Sequence, residues 1–171
     1  MISLTSSSNC PLISMTSTAL ITLLASPTIT VRPWRDPVVE CVGHDACGDY
    51  VELFWLGSLG PTATWLLRRL AVVVVTHPDG FTVQLTELAR AVGLGHETDA
   101  RSSLGKSLRR LAMFGLVHAE HHQLTVRAVV PPLPRKQVAR LPDHLREAHH
   151  LWCDECPHPA LVQAYACGQP T

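Results

Sequence analysis

The chain lacks a net charge: fourteen Lys and Arg balance fourteen Asp and Glu, so bulk charge singles out no partner. It also lacks an apolar run of the ~18 residues that a membrane span requires. The N-terminal run Ala19-Leu20-Ile21-Thr22-Leu23-Leu24-Ala25 resembles the apolar part of a signal peptide. The positive residues that should precede it are missing, and the reading is against secretion and against a membrane. No internal repeat is present. Catalytic signatures are absent as well: no Gly-rich loop that would cradle phosphate, no His-Glu-x-x-His, and no Ser or Cys in a recognised nucleophile context. The expectation is a protein that is not an enzyme and carries no cofactor. Lysine is scarce, two against twelve Arg, which reflects GC-rich codons more than chemistry.

The six cysteines stand at 10, 41, 47, 153, 156 and 167, outside the stretch with the clearest periodicity. They do not form the framework of a small secreted fold, so a reduced, cytoplasmic setting is expected. Cys153, Cys156, His158 and Cys167 offer four soft ligands, but only one short-spaced pair, where a tetrahedral zinc site usually draws on two. Cys41, His44 and Cys47 have ligand-like spacing and are read as exposed loop residues, and His149-His150 as flanking a helix end. No metal is assigned.

Residues 1–31 hold no charged side chain and are crowded with Ser and Thr. Residues 1–35 are therefore read as a disordered or mis-assigned extension, with Met15 as an alternative start. A domain is expected over 36–130, a proline strap and short helices over 131–152, and an irregular tail over 153–171.

Within the domain, Asp49 caps a helix from Tyr50 to about Leu56, with Leu53, Phe54 and Trp55 as apolar bulk. Gly57-Ser58-Leu59-Gly60 breaks it, and Pro61 opens the next helix, where the missing N–H costs nothing. Trp65, Leu66, Leu70 and Val73 are its inward positions, and Arg68 and Arg69 lie toward solvent. His77-Pro78-Asp79-Gly80 is a turn, and Phe81-Thr82-Val83 a strand. Leu85, Leu88, Ala89 and Val92 define a second helix stopped by Gly93. A third lies within Ser102–Phe114, with Leu104, Leu108 and Leu111 inward and Gly115 as its stop. Leu116–Glu120 and Gln123–Arg127 bracket His121-His122 as a hairpin. The fold class expected is mainly α with a small β-hairpin, in the element order of a winged helix-turn-helix.

Two segments carry a resemblance. Leu85-Thr86-Glu87-Leu88-Ala89-Arg90-Ala91-Val92-Gly93-Leu94 resembles the first helix and turn of many bacterial helix-turn-helix regulators. Leu108-Arg109-Arg110-Leu111-Ala112-Met113-Phe114-Gly115-Leu116-Val117 resembles the end of a recognition helix entering its wing. From Asp36 to Trp152 the chain resembles an uncharacterised actinobacterial winged helix-turn-helix family. That resemblance implies the fold more specifically than the function. The interval from Gly93 to Ser102 is longer than the three- or four-residue turn of the strict motif.

Charge is unevenly placed. From Arg101 to Arg140 eight Lys or Arg face one acid, Glu120, whereas the first sixty residues hold two bases against five acids. A basic segment beside an acidic one fits a surface that meets a polyanion. Ser103, Lys106 and Arg110 stand at i, i+3 and i+7, opposite Leu104, Leu108 and Leu111. Arg101, Ser102 and Ser107 flank that stripe. Arg and Lys suit guanine and Ser suits bases or phosphate, and Arg127, with Arg135 and Lys136, is assigned to backbone phosphate. The partner expected is double-stranded DNA, in transcription control. The alternative is a protein-interaction or dimerisation module without DNA contact, docking through Leu53, Phe54, Trp55 and the proline strap. A homodimer suits either reading.

Overall fold

The computed structural model describes residues 12–155. In chain order its elements are α1 (Leu12–Leu24), β1 (Thr28–Pro33), α2 (Pro37–Val42) and β2 (His44–Asp45). One turn of π-helix (Val51–Trp55) runs into α3 (Leu56–Leu59), followed by α4 (Pro61–Thr76), β3 (Phe81–Gln84) and α5 (Leu85–Ala91). Then come α6 (Ser103–Met113), β4 (Val117–Glu120), β5 (Gln123–Val126), β6 (Val129–Val130), α7 (Arg135–Val138) and α8 (Asp143–Glu155). Helix predominates, but there is more β-structure than one hairpin. A four-stranded sheet runs β3-β1-β5-β4, and β2 and β6 form a separate ribbon.

The β4–β5 hairpin turns at His121-His122, pairing Glu120 with Gln123. Such a tight turn needs a left-handed residue, and His121 supplies it with φ 51°. Beyond the hairpin the sheet departs from expectation. β1 lies between β3 and β5, antiparallel to the first and parallel to the second. The reading of residues 1–35 as unpacked is corrected over the described part. Ile29 and Val31 are fully buried, and Leu20, Leu23 and Leu24 of α1 join the same core. α1 itself packs on β4 and α6. The physical reason is strand alternation: Ile29 and Val31 face inward while β-branched Thr28 and Thr30 favour the extended backbone.

The core is one cluster. α4 contributes Leu66, Leu67, Leu70 and Val74, α5 Leu85, Leu88 and Ala89, α6 Leu104, Leu108 and Leu111, and the hairpin Leu124 and Val126. Trp65, expected inward, is instead 61% exposed, with the Arg68 guanidinium 5.4 Å from its ring centre. The π-helical turn has a wider circumference than an α-turn, and Tyr50, Val51, Phe54 and Trp55 are all buried while Leu53 points out. The proline strap closes over them. Trp55 Nε1 donates to Pro131 O at 3.2 Å, and Leu133 N donates to the Tyr50 hydroxyl at 2.9 Å.

Candidate nucleic-acid interface

α6 is fixed at both ends by local chemistry. Asp99 Oδ1 accepts from the N–H groups of Arg101 (2.8 Å) and Ser102 (2.6 Å). Ser102 Oγ donates to Asp99 O at 2.6 Å and accepts from Gly105 N at 3.0 Å, so Ser102 is the N-cap. This Asp99–Ser102 knot occupies the end of the long interval after Gly93. At the other end Gly115 adopts φ 65° and Leu116 N donates to Leu111 O at 3.0 Å, a left-handed stop that only glycine takes without strain.

The seven residues expected to contact DNA divide into two groups. Arg101, before α6, and Ser103, Lys106 and Arg110 on it are exposed, the last three on the side away from Leu104, Leu108 and Leu111. Ser102, Ser107 and Arg127 are buried and already engaged. Ser102 is consumed by the cap, and Ser107 Oγ donates to Ser103 O at 2.8 Å. Arg127 donates through Nε to Gly115 O (2.9 Å) and through its terminal nitrogen to Asp36 Oδ2 (3.0 Å). Its guanidinium stacks 3.9 Å from the Trp34 ring centre. The assignment of Arg127 to phosphate is therefore corrected: it clamps the hairpin to the start of α2. Asp36 also caps α2, accepting from Val38 and Val39 N. Its carboxyl is held below the usual range by the Arg127 hydrogen bond first and the Val39 N–H second.

Sequence reasoning missed Arg109 and Met113. Spacing gives the signal, since 103, 106, 109/110 and 113 continue one stripe. Arg109 is exposed and donates to Ala100 O at 2.8 Å, and Arg110 donates to Leu59 O at 3.1 Å. These residues line an open groove of about 440 Å³ between α6 and the start of α4 at Pro61-Thr62. A second groove of about 730 Å³ lies on the other side of Arg110 and Met113, walled by the Leu53–Ser58 turn and the entry to α8. Neither groove is lined by an acid. Lys136 is exposed on α7, apart from both.

The β4–β5 tip is exposed at His121 and His122 but tied back to the chain before and in β1. His122 O accepts from Thr30 N at 3.0 Å, and His122 Nδ1 lies 2.6 Å from Ser26 Oγ. The two-residue tip is thereby tied to the start of β1.

His44, Cys47 and His149 are placed differently from expectation. His44 is half-buried and stacks on Tyr50 at 3.5 Å, and Cys47 Sγ lies 3.6 Å from Arg68 O. Cys41 is exposed. His149 does not flank a helix end but sits inside α8, buried, with Nε2 2.9 Å from the Tyr50 hydroxyl. Its Nδ1 lies 3.8 Å from Cys153 Sγ. Cys156, His158 and Cys167 fall outside the described residues. Among the described residues no three His, Cys, Asp or Glu gather as a metal site, and no helix is long and apolar enough to cross a membrane.

No protein family, curated protein or solved structure matches the chain.

Proposed function

We propose that the chain is a cytoplasmic winged helix-turn-helix protein that binds double-stranded DNA, with α6 entering the major groove, in transcription control rather than catalysis. The reading is supported by the succession α4, β3, α5, α6, β4, β5, which follows the winged-helix order with β1 inserted between its strands. One observation carries it. Arg101 just before α6 and Ser103, Lys106, Arg109 and Arg110 on it are exposed, and no acid occurs between 101 and 119. A strip of one sign on a helix capped at its N-terminus suits phosphate and the guanine edge together. The tied-down hairpin tip leaves α6 as the principal contact, and a homodimer would set two such helices against successive major grooves.

The test is fluorescence anisotropy of the full chain with random-sequence duplex DNA across a salt series. If Arg101, Lys106 and Arg110 each neutralise one phosphate, log K falls against log salt with a slope of about −3. Lys106→Ala/Arg110→Ala should reduce both affinity and slope. A folded chain that binds no duplex at low salt, or binds unchanged in that variant, overturns the reading. A protein-interaction module is favoured by a different observation, the exposed apolar residues at the second groove. Its docking surface would be Leu53 and its neighbours, since Phe54 and Trp55 are buried.

A further inference from the structure

The end of α6 carries apolar surface with nothing over it. Met113 is 74% exposed, and beside it Leu53 and Leu56 are 44% and 37% exposed. With Leu145 across from them they wall the larger groove, about 730 Å³. Single exposed apolar residues are ordinary, but several around one concavity mark a place where a partner sits. The charges at this groove are Arg110 and Arg140, with no acid among its lining residues. At Arg110 and Met113 it runs into the neighbouring groove, where Lys106 and Arg109 stand. The concavity is thus apolar along its walls and cationic along its rim.

We propose that this groove receives an acidic amphipathic helix from a partner protein. Apolar side chains at i, i+3, i+4 and i+7 would lie against Leu53, Leu56, Met113 and Leu145, while flanking carboxylates meet Arg110 and Arg140. Charge decides between occupants. A second copy docked groove to groove about a two-fold axis would bring the cationic rim against itself, which is unfavourable. Duplex DNA presents mainly phosphate outward and keeps its base faces stacked, a poor match for the apolar walls. The inference deepens the interaction-module reading and does not depend on DNA binding. It adds a consequence if both hold: Arg110 lines both grooves, so the helix and the duplex compete for it.

The experiment uses the full chain and a synthetic, fluorophore-labelled helical peptide of about five turns, with Leu on one face and Glu flanking it. The same peptide with Lys for every Glu is the control. The Glu peptide should bind at least about tenfold more tightly than the Lys peptide. Arg140→Glu, away from α6, should lose about tenfold for the Glu peptide. Met113→Glu and Leu56→Glu, at exposed positions that leave the circular dichroism spectrum intact, should abolish peptide binding. Failure of the Glu peptide to bind overturns the proposal, as does equal binding of the two peptides or indifference to Arg140→Glu. Self-association of the chain that Met113→Glu abolishes would overturn it in favour of a second copy. Loss of DNA binding alone touches only the major-groove reading.

Discussion

The Tyr50 hydroxyl lies 2.9 Å from His149 Nε2, joining residues 99 positions apart across a buried interface. The phenol oxygen also accepts from Leu133 N at 2.9 Å. In the Nδ1–H tautomer the imidazole accepts the phenol proton at Nε2, with Nδ1 facing Cys153 Sγ at 3.8 Å. Protonating that tautomer at Nε2 would remove the acceptor for the Tyr50 proton. Burial first, and the charge of His150 second, hold the His149 pKa below the usual 6.5.

The pH dependence follows from that arrangement. Below pH 6.5 the unfolded chain takes up a proton on His149 that the folded chain refuses, so stability falls as pH drops from 6.5 toward the folded value. At the alkaline end burial pushes the Tyr50 phenol from 10 up to about 12. The unfolded state loses that proton first, and roughly 2–3 kcal/mol of stability should disappear across that interval. Urea melts at a series of pH values, with tyrosinate absorbance followed in parallel, check both limbs. Tyr50→Phe should remove the alkaline limb assigned to this residue. It leaves the Leu133 N–H without its acceptor and should cost about 1–3 kcal/mol at neutral pH. A variant as stable as the parent at every pH would refute the arrangement.

Arg127 joins Gly115 at the end of α6, Asp36 at the start of α2 and the face of Trp34. Arg127→Met keeps the stem and removes every polar contact. It is expected to lower the thermal midpoint by several degrees while leaving DNA affinity per folded molecule unchanged. Asp36 supplies a pH signature. Its folded pKa is lowered, so the stability it contributes is present above 3.8 and is lost as pH falls through the folded value. In Arg127→Met that acid-limb contribution should shrink. Weakened DNA binding by a fully folded Arg127→Met would return this residue to the phosphate role.

Gly105 is the close-approach point of α6. A Cβ there would stand 2.3 Å from Asp99 O and 2.9 Å from Ala100 Cα, both backbone atoms that cannot rotate away. Gly105→Ala ordinarily strengthens a helix by up to about 1 kcal/mol. Here it should instead destabilise by about 1–3 kcal/mol, because the Asp99–Ser102 knot must shift. Denaturant melts give the sign directly, and a more stable variant would show that the knot yields freely.

These residues also mark what one sequence makes legible. The helices α4, α5 and α6 and the hairpin announce themselves through local period: Leu104, Leu108 and Leu111 recur on one face, and Gly93 and Gly115 end their helices. Contacts between distant residues have no such signal. Nothing local pairs Arg127 with Asp36, 91 positions away, or Tyr50 with His149. An arginine at a strand end reads as a surface charge until its partner is known. Trp65 misleads because period identifies a face and not what covers it. At the candidate interface the exposed stripe Ser103, Lys106, Arg110 was readable from spacing, whereas Ser102 and Ser107 required knowing that their hydroxyls are used by the helix itself.

The N-terminal segment gives the sharpest consequence. Its Ser- and Thr-rich composition, with no charge before Arg32, hides a strand that pairs Ile29 with Val83 on one side and Val31 with Leu124 on the other. A chain beginning at Asp36 would retain every element of the periodic domain and still lose the middle of its sheet. β3 and β5 would each keep a row of unpaired backbone groups, and Ile29 and Val31 would be gone from the core cluster that holds Leu85, Leu124 and Val126. Deletion of residues 1–35 should therefore abolish cooperative unfolding or yield an aggregating protein, since unpaired strand edges template association. Truncation of one buried side chain gives a graded version: Ile29→Ala should cost about 2–5 kcal/mol, whereas Thr28→Ala, at an exposed position, should cost little. Near-ultraviolet circular dichroism and urea melts of the three variants decide it. A truncated chain that melts as sharply as the full one would show β1 to be an accessory strand laid onto a sheet that closes without it.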